Sequence, residues 1–170
     1  MEIVLKSHIH QHKLIEILVL TLFGVVMYVS QVIMASLPNI ELVSFLIVIV
    51  ARKFRFKSLV SVYVFVFLEI LTYGFAQWVI SYLYVWAILA IAVCLCSKID
   101  NHIFYTIICG AFGLLFGVLC SPVSFVVGGF GYGISWIISG LWFDFLHCFG
   151  NALLTFLLYK PLTKVLEKAL

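Results

Sequence analysis

Apolar runs that approach or exceed the thickness of a lipid bilayer follow one another along this chain of 170 residues. A helix needs about 20 apolar residues to cross the hydrocarbon core, and lipid favours helices because they satisfy their own backbone hydrogen bonds. With 65% hydrophobic and 10% charged residues, the chain lacks the polar surface that a water-soluble domain requires. We therefore expect an all-α integral membrane protein with a single membrane domain, residues 1–170.

Polar and turn-forming residues divide the apolar sequence into six predicted membrane-spanning helices. Pro38, Asn39 and Glu41 end the first run, four basic residues at 52–57 end the second, and glycines with Pro122 separate the last two. The second run is short for a full crossing, so a tilted or re-entrant helix is an alternative there. The expected spans are residues 14–37, 40–51, 58–75, 79–97, 103–120 and 132–159.

The distribution of positive charge predicts the orientation of these spans. Lys and Arg concentrate on the cytoplasmic side of membrane proteins. If the N-terminus is cytoplasmic, all ten basic residues fall on that side, and the outer turns near residues 38–41, 76–78 and 121–131 contain none. Both termini are therefore expected in the cytoplasm. The basic residues are Lys6, Lys13, Arg52, Lys53, Arg55, Lys57, Lys98, Lys160, Lys164 and Lys168.

Motifs of catalysis and of targeting are missing from the sequence. We find no Walker motif, nucleophile elbow or HExxH, and therefore expect no enzyme activity, metal or cofactor. The first run lacks a small-residue cleavage site and is longer than a signal peptide, so it should remain as a helix. His8, His10 and His12 indicate a basic tail or a weak metal site. The small net charge of +3 gives no reason to expect a nucleic-acid partner.

Aromatic residues on the fourth span form a stripe. Trp78, Tyr82 and Trp86 are spaced by four residues and share one helical face. Such a stripe stacks against a flat ring ligand, although Trp and Tyr also anchor helices at membrane interfaces. With the polar residues of the outer turns, we interpret it as a candidate substrate-binding site that comprises Asn39, Glu41, Gln77, Trp78, Tyr82 and Trp86.

Four of the polar residues inside predicted spans are candidates for a role within the membrane. Asp144, His147 and Asn151 share one face of the sixth span, and Glu69 lies in the third. Such groups are costly in lipid unless they are paired or hydrated. They are candidates for ligand contact, proton relay, subunit contact or interhelical hydrogen bonding, with Asp144 or His147 as potential partners of Glu69.

Glycines on the fifth span indicate close helix packing. Gly110, Gly113 and Gly117 recur at intervals of three and four, and the last two form GxxxG. Small residues at this spacing let two helix backbones approach. The neighbour is either another helix of this chain or a partner helix.

Three stretches resemble one family of membrane proteins. They are LPNIELVSFL at residues 37–46, GFAQWVISYLYVW at residues 74–86, and GLWFDFLH at residues 140–147, followed by GN at 150–151 and LYKPL at 158–162. The chain is similar here to the substrate-binding (S) components of energy-coupling factor transporters, over essentially its whole length.

This resemblance implies a fold of six helices and the capture of a vitamin or related micronutrient on the outer side of a prokaryotic plasma membrane. It also implies partners, namely a transmembrane coupling protein and two cytoplasmic ATPases. One departure concerns the docking face for the coupling protein. Many members carry an alanine-x-x-x-alanine pattern on the first helix, whereas here Tyr28 follows Gly24 at that spacing; Gly24, Ser30 and Ala35 are the small residues available.

The sequence is also compatible with two other functions. A stand-alone proton-coupled transporter would use Asp144, His147 and Glu69 as its relay, although no inverted repeat with broken helices is visible. A non-transporting assembly subunit would use GxxxG for contacts. For the capture function, an aromatic site without outer positive charge argues against a strongly anionic ligand. It leaves cobalamin, riboflavin and pyridoxine- or pyrimidine-type compounds as candidates.

Overall fold

The computed structural model describes the backbone of residues 2–169 and the side chains of residues 13–168. The described residues form no strand, which confirms the all-α prediction. The helices are α1 (Glu2–Met34), α2 (Val43–Phe54), α3 (Leu59–Tyr73), α4 (Gln77–Leu95) and α5 (His102–Ala169), with a short 3-10 helix at Arg55–Ser58. His8, His10 and His12 lie outside the residues whose side chains are described.

In the part of the chain that the structure describes, three helices are long and apolar enough to cross a membrane, over Lys13–Met34, Gln77–Leu95 and His102–Lys168. At 12 and 15 residues, α2 and α3 are shorter than a perpendicular crossing of about 20 residues requires. The two last predicted spans both belong to α5. The structure therefore contains three candidate membrane-spanning helices, the last of which includes two of the predicted spans.

The break in α5 differs from the predicted turn at residues 121–131. Residues 121–128 are helical, and the only residue inside α5 with non-helical dihedrals is Gly129, at φ 75° and ψ −174°. Pro122 cannot donate a hydrogen bond to the Val118 carbonyl, but the Ser121 hydroxyl donates to that same oxygen at 2.7 Å. The proline is thus accommodated, and Gly129 divides α5 into two arms, residues 102–128 and 130–169.

The two arms run antiparallel and pack through the glycines of the first. A methyl group on Gly113 would lie 2.7 Å from the backbone carbonyl of His147, and one on Gly117 would lie 2.5 Å from Asp144 Oδ2. Gly110 faces Cys148 and Ala152 in the same register. These three glycines therefore pack against another part of this chain.

Gly24 has a comparable role between α1 and α3. A methyl group there would lie 2.6 Å from the Ser61 carbonyl oxygen and 2.7 Å from Val64 Cβ. One turn earlier, the Ser61 hydroxyl donates to the Leu20 carbonyl at 2.7 Å. Gly24 is therefore covered by α3, and a partner protein would have to contact a different face of α1.

The central helix of the bundle is α2, which is buried over all residues from Val43 to Ala51. A helix that is apolar around its whole circumference has to be enclosed by others. By contrast, α1 exposes many large apolar side chains, as expected of a helix facing lipid. They include Leu14, Ile17, Leu18, Leu22 and Ile33.

The two ends of the bundle differ: one carries basic residues and their polar contacts, and the other carries loops. At the basic end, Lys57 bonds Glu16 at 2.7 Å and Arg52 pairs with Asp100. The Arg52 guanidinium also lies 5.9 and 5.6 Å from the ring centroids of Tyr105 and Tyr159. The loop end contains the α1–α2 loop (residues 35–42), the α3–α4 turn (residues 74–76) and Gly129. Basic segments that are distant in sequence therefore meet at one end.

Candidate ligand-binding site

Two adjoining cavities, the loop-side lobe and the helix-side lobe of one candidate site, lie towards the loop end. The loop-side lobe has a volume of about 390 Å³ and is lined by the end of α1, the α1–α2 loop, Tyr73, the aromatic stripe of α4, Phe116 and His147. The helix-side lobe has a volume of about 380 Å³ and is lined on one side by the second arm of α5 between Trp136 and Asp144. Each volume lies within the range of small-molecule sites, roughly 300–1,000 Å³. The lobes share four lining residues: Asn39, Trp78, Tyr82 and Phe116.

The aromatic stripe of α4 forms a continuous wall. The ring centroids of Trp78 and Tyr82 are 5.1 Å apart, and those of Tyr82 and Trp86 are 5.2 Å apart, with edge-to-face angles of 72° and 82°. Tyr73 extends the wall at 5.3 Å from Trp78, and Phe116 extends it at 5.3 Å from Trp86. Edge-to-face packing is a favourable geometry for aromatic pairs. The rings of the wall therefore support one another in this arrangement.

A polar network forms the end of the loop-side lobe that adjoins α2. Glu41 precedes α2, and its carboxylate accepts the Ser44 N–H at 2.9 Å and the Ser44 hydroxyl at 2.5 Å. His147 Nε2 lies 3.1 Å from the same carboxylate, and Asn151 Nδ2 donates to the Ser44 hydroxyl at 3.0 Å. A carboxylate at a helix N-terminus is stabilised by the free N–H groups there. The network links the α1–α2 loop to the second arm of α5.

Asp144 adjoins the helix-side lobe, and its carboxylate has fewer hydrogen bonds than that of Glu41. Its Oδ1 accepts the Gly117 N–H at 3.0 Å. Its Oδ2 is buried and has no hydrogen-bond partner among the described residues. Glycine at position 117 leaves the space that this carboxylate occupies.

Most of the predicted binding residues line the cavity, but one of them does not. Asn39, Glu41, Trp78, Tyr82 and Trp86 line the cavity, as does His147 from the polar set, whereas Asp144 lines only the helix-side lobe. Gln77 lines neither lobe: its Nε2 donates to Ser124 Oγ at 2.8 Å, and its Oε1 accepts from Tyr132 at 3.3 Å. In the structure it joins α4 to the two arms of α5.

Glu69 and Asn151 stand outside the lining. Glu69 is fully buried on α3, and neither of its oxygens has a hydrogen-bond partner among residues 13–168. It therefore bonds neither Asp144 nor His147, the two partners considered from the sequence. Asn151 is also fully buried and supports the cavity through Ser44.

The sequence analysis did not single out four aromatic lining residues, namely Tyr73, Phe116, Trp136 and Phe143. Phe112 and Phe116 repeat the four-residue aromatic spacing of α4, and this was the available signal for Phe116. Nothing in the sequence around Tyr73 or Trp136 distinguishes them from aromatic residues that face lipid.

Comparison with known proteins gives no match to any family model, curated protein or solved structure. The site is therefore interpreted from its own geometry.

A substitution at Ser44 tests the polar network. Ser44→Ala removes one donor to Glu41 and leaves Asn151 Nδ2 without its acceptor, so we expect a loss of about 1 kcal/mol of stability. The measurement is the melting temperature of the purified protein in detergent. Ser30→Ala is the matched control, because the Ser30 hydroxyl donates within its own turn, to the Met27 carbonyl. Equal melting temperatures for the two variants would contradict the network.

Proposed function

We propose that the chain is the substrate-binding component of an energy-coupling factor importer, which captures a ring-containing vitamin or related micronutrient at its outer end. The observation that carries this proposal is the aromatic cavity with its polar network at the loop end. A pre-formed pocket with aromatic walls and a few convergent polar groups is the usual form of a small-molecule site.

The position of the cavity relative to the positive charges supports the orientation. The described basic clusters meet at the end opposite the loops, and basic residues mark the cytoplasmic side. The proposed topology has six spans, with α2, α3 and both arms of α5 crossing, and both termini in the cytoplasm of a prokaryotic cell. The cavity then opens towards the outside.

The resemblance in sequence supports the division of labour. The stretch LPNIELVSFL contains Glu41 and Ser44, and the stretch around residues 74–86 supplies the aromatic wall. The third stretch, at residues 140–147, contains Asp144 and His147, so all three stretches that resemble the family contribute to the cavity. The chain carries no nucleotide-binding motif, so the proposed partners are a transmembrane coupling protein and two ATPases that provide the energy.

Two measurements test this proposal. Native mass spectrometry of the gently purified chain should detect one small molecule per chain, which is identified after release. Uptake of that molecule should require the coupling protein and active ATPases. An empty chain whose melting temperature does not rise with any compound of a vitamin panel would contradict the capture function.

A second candidate function is a proton-coupled transporter that works alone. The observation that favours it is Glu69, a buried carboxyl group with no hydrogen-bond partner among the described residues, since ionisable residues inside membrane helices often mark proton relays. This function predicts uptake by the chain alone, which a protonophore abolishes and loss of the ATPases leaves unchanged.

A further inference from the structure

The helix-side lobe contains a carboxylate whose bonding is incomplete. Asp144 is only 3% exposed, and one of its oxygens accepts the Gly117 N–H while the other has no partner among the described residues. A buried charged group without a partner is costly. The arrangement is therefore that of a side chain whose partner is supplied by something bound in the lobe.

The walls of this lobe favour a positive group. They include the rings of Trp78, Tyr82, Phe116, Trp136 and Phe143. Aromatic faces attract cations that lie within about 6 Å of the ring centroid. Among the described residues that line the two lobes there is no Lys or Arg, so no side chain of this kind competes for Asp144.

The loop-side lobe differs in this respect. Its carboxylate, Glu41, is already bonded by the Ser44 backbone, the Ser44 hydroxyl and His147. It therefore has less need of a charged partner than Asp144. The loop-side lobe thus has a carboxylate that is bonded by three groups, although His147 Nδ1 and Asn151 Oδ1 nearby have no partner among the described residues, and the helix-side lobe has a carboxylate with one unbonded oxygen.

The geometry points to a ligand that is an aromatic heterocycle carrying a cationic amino group. The amino group bonds Asp144 Oδ2 in the helix-side lobe, and the ring lies against Trp78, Tyr82 and Phe116, which both lobes share. This inference rests on the proposed capture function and extends it by naming the chemical class of the substrate. Asp144 is then the residue that selects a ligand with a positively charged amino group.

Matched pairs of probes test the selection for an amino group. Pyridoxamine and pyridoxine share one pyridine ring and differ by an aminomethyl in place of a hydroxymethyl group, and the same exchange can be made on a pyrimidine ring. Affinities are measured by calorimetry in detergent. We expect the amine of at least one pair to bind at least about tenfold more tightly than its alcohol, as a charge-assisted hydrogen bond provides.

The substitution Asp144→Asn tests the role of the carboxylate. Asparagine keeps the shape and an oxygen for the Gly117 N–H, so the preferred amine should lose at least about tenfold in affinity while the alcohol changes little. Asp100→Asn is the control, because this residue pairs with Arg52 at the basic end. If the Asp144→Asn variant does not fold, the comparison of amine and alcohol on the unaltered chain still tests the inferred substrate class.

The outcomes separate this inference from the proposed function. Alcohols that bind as tightly as their amines in both pairs, an Asp144→Asn variant with unchanged affinity for the amine, or a co-purified ligand without a cationic amino group would overturn the inference and leave the capture function standing. A co-purified ligand that carries such a group, with affinity that depends on Asp144, supports it. If no probe binds and no ligand co-purifies, both are contradicted.

Discussion

Replacing Trp78 with alanine is expected to lower the affinity for the co-purified ligand by at least about 30-fold. Trp78 lines both lobes of the cavity and touches Tyr73 and Tyr82 within the aromatic wall. Truncation of a central tryptophan in a binding site commonly costs about 2 kcal/mol or more, which corresponds to this factor. Calorimetry with the ligand identified by mass spectrometry measures the change.

Trp142→Ala is the matched control for this substitution. Trp142 lies on the second arm of α5 near the cavity in sequence, but it is 64% exposed and stacks on Phe145. Its removal should therefore change affinity less than twofold, within the spread of neutral surface substitutions. If Trp78→Ala kept full affinity with a normal melting temperature, the aromatic wall would not be the binding surface.

The part of the site that was predictable from the sequence depends on local spacing. Residues four apart on one helix share a face whatever surrounds the helix, so Trp78, Tyr82 and Trp86 had to point in one direction. Glu41 stands directly before a helix of apolar residues, which places its carboxylate at a helix N-terminus. The structure brings these residues into one cavity.

The other part depends on which helices meet. Phe116, Trp136 and Asp144 enter the helix-side lobe only because the two arms of α5 fold back on each other at Gly129, with a register that places Gly117 beside Asp144. The sequence also does not fix the neighbours of Gln77, the first residue of α4, which bonds Ser124 and Tyr132 outside the cavity. Contacts between distant segments leave no periodic pattern in a single sequence.

The break between the last two predicted spans shows the same limit. Pro122 with the following glycines suggested a turn, yet the Ser121 hydroxyl occupies the carbonyl that the proline leaves free. The chain turns instead at Gly129, whose φ of 75° suits glycine because the residue has no Cβ. Gly129 lies inside the turn predicted at residues 121–131, but several glycines in this stretch were equivalent by sequence, so the exact residue of the break was not predictable.

Replacing Gly113 with alanine is expected to destabilise the protein by about 1–3 kcal/mol, the cost of inserting a methyl group into a packed contact. The added Cβ would lie 2.7 Å from both the carbonyl carbon and oxygen of His147 and 2.8 Å from the Cys148 nitrogen. These are backbone atoms, which no change of rotamer can move, so the arms of α5 have to separate. Gly113→Leu should have a larger effect, because close backbone approach is what holds such helix pairs together in lipid.

Gly131→Ala provides the control, because a methyl group at Gly131 would meet no heavy atom within 4 Å. Alanine is the better helix former by about 1 kcal/mol, so this variant should melt at or above the temperature of the unaltered protein. Separation of the arms at Gly113 also displaces His147 from Glu41 and Asp144 from the helix-side lobe, so the Gly113→Ala variant should lose ligand affinity as well as stability. Equal melting temperatures for both alanine variants would mean that the two arms do not pack through this glycine face, and the proposed cavity would lose the contact that defines its second lobe.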